Sequence, residues 1–170
     1  DSTRFFYNDL PGEKLLRMAP NADHSLRETD AMETLLAFYQ MIITDTPRPR
    51  FSWTFEKDGA IKITTIDKPK EILLWQATNP NARDFRLDTI GKAWSSTPLT
   101  EQRGGIYIAR VPKPAKGWTG FFAELTYDTG GSVPLKLTTE VGVVPDTLAY
   151  RPYKPVKRHS GFMSKSSNQE

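Results

Sequence analysis

The chain has 170 residues, 38% hydrophobic and 11% aromatic, enough to bury one core with a small satellite, and its lack of cysteine excludes disulfides, thiol nucleophiles and thiolate metal sites. Its formal charge of +3 belongs to the tail, where Arg151, Lys154, Lys157, Arg158 and Lys165 face Glu170 alone. The other 18 basic and 19 acidic residues leave the body neutral, unlike the basic face of a nucleic-acid-binding domain.

In chain order, residues 3–9 read as a first helix closed by the Leu10-Pro11-Gly12 turn signal, and residues 14–18 as a short apolar strand. A polar loop, Asn21-Ala22-Asp23-His24-Ser25, follows. Asp30 with Glu33 three residues on forms a capping-box-like start for the clearest helix of the chain. Leu35, Leu36, Phe38, Tyr39, Ile42 and Ile43 give that helix one apolar face, and Thr46-Pro47-Arg48-Pro49 stops it. The stretch 35–43 is far short of the roughly 20 apolar residues that a membrane span needs, and no signal sequence opens the chain. One strand with two helices closes no core. The apolar face is therefore expected to pack on an N-terminal portion not contained in these residues, from the same protein or a second chain. The opening Asp1-Ser2-Thr3 is read as that of a processed or trimmed piece.

From Phe51 the period changes to two. Phe51, Trp53 and Phe55 alternate, Lys57-Asp58-Gly59 turns, and Ile61 and Ile63 alternate on the return. Residues 71–78 form a more continuous apolar strand, broken by Asn79-Pro80-Asn81; a shorter strand is expected at 84–87. Further strands fall at 105–111, 117–127 and 132–144, the last with Val133, Leu135, Leu137, Val141 and Val143 on one parity. About seven strands at this spacing predict an immunoglobulin-like antiparallel β-sandwich. The expected organisation is an α+β piece: 1–48 as the last strand and helices of an α/β domain, 49–148 as the sandwich, and 149–170 as a basic polar tail anchored by Tyr150 and Tyr153.

His24 is the foremost catalytic candidate, because it lies in a loop after a short strand and before a strong helix, where α/β-hydrolases carry the histidine of the triad. A lone histidine is no motif by itself, and a helix-capping or solvent-facing role stays open. The residues contain no G-x-S-x-G elbow; Ser132, in Gly130-Gly131-Ser132-Val133-Pro134, reads as a turn residue. Asp23 is adjacent to His24 in the chain and poorly placed to orient its ring, which leaves Asp1 as a weak candidate for the acid. Arg83 and Arg86 could clamp an anion, but local pairing with Asp84 and Asp88 over a core Trp75 and Phe85 is the simpler reading. Two histidines, His24 and His159, without a carboxylate cluster offer no metal site, and no cofactor motif is present.

Several strings in order, Leu10-Pro11-Gly12-Glu13-Lys14, Pro20-Asn21-Ala22-Asp23-His24-Ser25-Leu26, Leu35-Leu36-Ala37-Phe38-Tyr39, Pro47-Arg48-Pro49-Arg50-Phe51-Ser52-Trp53 and Leu74-Trp75-Gln76-Ala77-Thr78-Asn79-Pro80 through Arg86, closely resemble the PhoPQ-activated pathogenicity-related protein family. The resemblance implies an exported, virulence-associated α/β-hydrolase with a Ser-His-Asp arrangement. His24 would match the triad histidine, and the serine and acid would lie upstream of Asp1. The expected function is thus the C-terminal portion of a serine hydrolase cleaving an ester or amide in a small, peptide or protein substrate, inactive by itself. The alternative is a non-catalytic binding or signalling protein on a hydrolase scaffold.

Overall fold

A computed structural model describes residues 2–148; Asp1, Tyr150, Tyr153 and the rest of the expected tail lie outside the described residues. The protein is α+β and mostly antiparallel. One helix, α1 (Ala31–Ile43), and a single turn, α2 (Leu87–Ile90), accompany eight strands: β1 (Phe51–Phe55), β2 (Ile61–Thr65), β3 (Glu71–Asn79), β4 (Ser95–Pro98), β5 (Ile106–Ala109), β6 (Trp118–Tyr127), β7 (Leu135–Thr138) and β8 (Gly142–Val144). Three strands form one sheet in the order β1-β2-β5, and β4-β3-β6-β7 form the second, with β8 also on β6.

The two sheets share one core. Ile61, Ile63, Tyr107 and Ala109 from the first meet Ile72, Leu74, Phe121, Ala123, Leu125, Leu135 and Leu137 from the second, and Ala37 and Met41 of α1 join them. β6 is the organising strand, paired with β3 over nine residues on one edge and with β7 and β8 on the other. The expected single strand 132–144 is divided in two for a reason visible in the register. Glu124 faces Thr138 while Phe121 faces Gly142, so two β6 residues are spanned by three on the partner, a bulge that breaks the ladder at 139–141. Thr139 closes the gap by accepting from Ala123 N–H through its hydroxyl, at 3.1 Å, and donating its own N–H to Ala123 O, at 3.0 Å.

Three further expectations are corrected, and one strand is added. Residues 3–9 form two 3-10 turns, Ser2–Phe5 and Tyr7–Asp9, rather than one helix. Residues 14–18 are not a strand: they run beside the outer edge of β7, whose Thr138 donates N–H to Leu16 O at 2.7 Å and accepts Met18 N–H on its hydroxyl at 3.0 Å. The bulge ends β7 there, so no ladder extends further. Residues 84–87 form no strand, and α2 begins at Leu87, because Asp84 turns the chain by accepting Arg86 N–H and the Thr89 hydroxyl. β4, rich in serine and threonine and exposed throughout, carries no apolar alternation and was invisible to a periodicity reading.

α1 begins at the expected residue by a different device. Asp30 caps no backbone N–H with its side chain; its carboxylate instead receives Arg17 and Lys136. The helix ends in a Schellman arrangement, with Asp45 in the left-handed region (φ 50°), Thr46 N–H donating to Met41 O at 2.9 Å and Asp45 N–H to Ile42 O at 3.3 Å.

Candidate functional site

The loop carrying His24 is fixed at both ends. At its start Asn21 takes a left-handed conformation (φ 56°), and its amide exchanges two hydrogen bonds with the backbone of Trp94, donating to the carbonyl at 2.9 Å and accepting the N–H at 3.0 Å. The Trp94 ring is itself wedged between Phe85 and Phe122, at 6.0 and 5.3 Å between centroids, with its indole N–H on Phe85 O. At the far end Asp30 anchors α1 to the sheet.

That anchor is a four-residue charge network. Arg17 donates to Glu124 at 2.6 Å and to Asp30, and Lys136 reaches Asp30 and, at 3.6 Å, Glu124. The Glu124 side chain is only 2% exposed and that of Arg17 14%. Two cations and two anions thus balance beneath α1. Burial pushes the Asp30 carboxyl up, but the bonds from Lys136 and Arg17 outweigh it and hold the group below the usual carboxylate range. For Lys136 burial acts downward, and the bond to Asp30 with the charge of Glu124 raises it above the ordinary lysine value. The sequence reading missed this network; its one trace was Glu124, a charge inside the apolar run of β6.

Between the two anchors Asp23 spans His24. Its carboxylate accepts the Ser25 hydroxyl at 2.6 Å and the Ser25 N–H at 2.8 Å, and these bonds hold it below its usual range. Asp23 is therefore engaged with Ser25 and not with the imidazole. The turn leaves His24 exposed, with no hydrogen bond to its ring among the described residues. Leu26, two residues on, is exposed and also left-handed (φ 55°), a conformation uncommon for a branched apolar side chain.

α1, which follows, is exposed along its most apolar face. Met32, Leu35, Leu36, Tyr39, Ile42 and Ile43 are all more than half exposed and recur at helical spacing. The face that packs on the protein is the narrower one made by Thr34, Ala37 and Met41. Because Leu35 and Ile43 bury so little, Leu35→Gln with Ile43→Gln is expected to change the unfolding free energy by no more than about 0.5 kcal/mol per site in urea titrations.

The other candidates are dispersed. Ser132 is an exposed residue between β6 and β7. Arg86 pairs with Asp84 at 2.6 Å as expected, and this bond holds the Asp84 carboxyl far below the usual range. Arg83 does not pair with Asp84: its side chain, 9% exposed, reaches across to Asp146 at 3.2 Å and to Thr147 O at 3.3 Å. Trp75 and Phe85 are half-buried, Trp75 facing Phe122 across β3 and β6. Among the described residues no group of three or more histidines and carboxylates is placed to hold a metal ion, and no helix is long and apolar enough to cross a membrane.

The geometry thus defines a mostly antiparallel α+β protein with an exposed loop histidine ahead of a helix whose apolar face is uncovered. The chain belongs to the PhoPQ-activated pathogenicity-related protein family, whose profile matches residues 1–86, from the first turn through β3. Autocrine proliferation repressor protein A of Dictyostelium discoideum is 34% identical over 177 residues, covering 88% of this chain and 36% of that protein. The chain therefore spans about a third of the length of this curated relative. No solved structure matches it.

Proposed function

We propose that this chain is the C-terminal part of a serine hydrolase of ester or amide bonds, with His24 as the general base. The observation that carries the reading is the pairing of an exposed histidine, on a loop pinned at both ends, with the uncovered apolar face of α1 directly after it. A hydrolase domain seated on Met32, Leu35, Leu36, Tyr39, Ile42 and Ile43 would bury that face and bring a serine and an orienting acid from upstream sequence to the His24 loop. The histidine would take the serine proton during attack and return it to the leaving group. In this reading 1–48 completes the hydrolase domain, and 49–148 is an immunoglobulin-like sandwich bracing it. The two antiparallel sheets around one core support the sandwich. The family description, pathogenicity-related, supports an exported protein.

The test is labelling of the full-length protein with a fluorophosphonate. Covalent labelling is expected, and His24→Ala is expected to slow it by about 10³-fold or more, in line with loss of a triad base. Labelling unaffected by His24→Ala would overturn the role.

A second reading, a binding or signalling protein on a hydrolase scaffold, is favoured by one observation: the relative is described as an autocrine proliferation repressor. It expects no fluorophosphonate adduct on the full-length protein.

A further inference from the structure

β1 is the edge of its sheet, and its outer side is open. Backbone bonds to β2 are bracketed by Ile66 N–H on Arg50 O and Glu56 N–H on Ala60 O, so the even-numbered residues of β1 face β2. The N–H and C=O groups of Phe51, Trp53 and Phe55 consequently point away from the sheet, and among the described residues no strand or loop pairs with them. Along this edge runs a groove of about 630 Å³, walled by β1 on one side and by Tyr7, Asn8 and residues 12–16 on the other. A second cavity of about 380 Å³ adjoins it at Asn8, Phe55 and Glu140.

Glu140 is the unexplained group. It is 6% exposed, and its carboxylate accepts one long hydrogen bond, 3.3 Å from the Trp53 indole N–H. No other hydrogen bond reaches the carboxylate among the described residues. The neighbouring cations hydrogen-bond other groups: Arg4 lies bidentate on Asp146 and acts on Glu140 only by its charge across the adjoining cavity, and Lys14 donates to Leu10 O while sitting 5.1 Å from the Tyr7 ring centre. A buried carboxylate so poorly paired is costly unless a cation or donors complete it. Trp53 lies between Tyr7 and Phe51 beside it, tilted against each at 5.6 Å between centroids, a surface that suits the alkyl stem and charge of a basic side chain.

We propose that this groove binds a short extended peptide segment, added to β1 as a further antiparallel or parallel strand, with a lysine or arginine side chain on Glu140. Backbone pairing to residues 51, 53 and 55 supplies affinity, and the carboxylate selects the basic residue. The site is separate from the His24 loop and does not depend on the hydrolase reading.

The probe is a fluorescein-labelled, end-blocked Ala-Val-Lys-Val-Ala peptide titrated with the full 170-residue chain by anisotropy. Saturable binding is expected, about tenfold weaker when norleucine replaces lysine, and about tenfold weaker again when the backbone nitrogens of the central Val-Lys-Val are methylated. Glu140→Gln is expected to bring the lysine and norleucine peptides within about twofold of each other. No saturation up to about 1 mM would overturn the site. Equal binding of the lysine and norleucine peptides to the unaltered chain would overturn the role of Glu140, and indifference to N-methylation would overturn strand addition; neither result depends on a variant that must fold.

Discussion

Arg17→Ala is expected to lower the unfolding free energy by about 3–5 kcal/mol, the range found when one partner of a buried ion pair is removed. Glu124 would be left in the sheet with only Lys136 at 3.6 Å, and Asp30 would lose one of its two cations. A fall of this size corresponds to about 6–20 °C in Tm for a chain of this length. Arg17→Met combined with Glu124→Leu removes both charges and is expected to recover most of the loss, because the desolvation of Glu124 disappears with its partner. If Arg17→Ala lost less than about 1 kcal/mol, the network would be behaving as a solvated surface cluster.

The same network sets an acid limit. The folded-state value of Asp30 lies below its unfolded one, so its contribution is fully present above the ordinary aspartate range and is lost as pH falls through the folded value, below about pH 4. The Lys136 value is raised on folding, so its contribution holds below the ordinary lysine value and fades as pH rises past about 10.4. In Arg17→Ala the acid limb is expected to move to higher pH, which unfolding monitored by circular dichroism across pH 2–5 would read, at roughly the carboxylate range.

Gly117→Ala is the second large effect. Gly117 has φ +78°, and a Cβ built there would lie 2.1 Å from Asn79 O and 2.5 Å from Pro80 Cα, both backbone atoms of the turn that leaves β3. That turn is held internally, since the Asn79 side chain accepts Asn81 N–H at 2.9 Å and donates to Asp84 O at 2.7 Å, so it cannot retreat without breaking these bonds. Left-handed strain and overpacking together are expected to destabilise the protein by about 2–5 kcal/mol. Gly130→Ala separates the two causes. Gly130 has φ +75° with nothing within 4 Å of its added Cβ, so only the backbone component of about 1 kcal/mol is expected there. Equal losses at the two positions would show that the contact with Asn79 and Pro80 relaxes freely.

Periodicity located α1 and the strands β1, β2, β3, β5 and β6, because each carries apolar residues at the spacing its backbone requires. It also marked the apolar side of α1, expected to pack on sequence outside these residues; that side is exposed within the chain, and the helix rests on the protein through Thr34, Ala37 and Met41, which the apolar pattern did not single out. The Asp30 and Glu33 spacing marked the helix start correctly for the wrong reason, since the carboxylate serves Arg17 and Lys136. The bulge at 139–141 left no trace in composition, as a one-residue register change alters no residue type.

By itself the sequence determined the mixed α+β class, the strand-rich segment after Phe51, the family and the position of His24 between a short apolar segment and a helix. All of these are carried by local spacing or by residue identity. Tertiary structure alone decided which face of α1 is covered, that Arg17, Asp30, Glu124 and Lys136 meet, that Arg83 turns to Asp146, and that Glu140 lies buried beside the open edge of β1. The bonded partners among these lie from 13 positions apart, for Arg17–Asp30, to 107, for Arg17–Glu124, and pairing at the larger separations follows from sheet order and register, which no local pattern encodes.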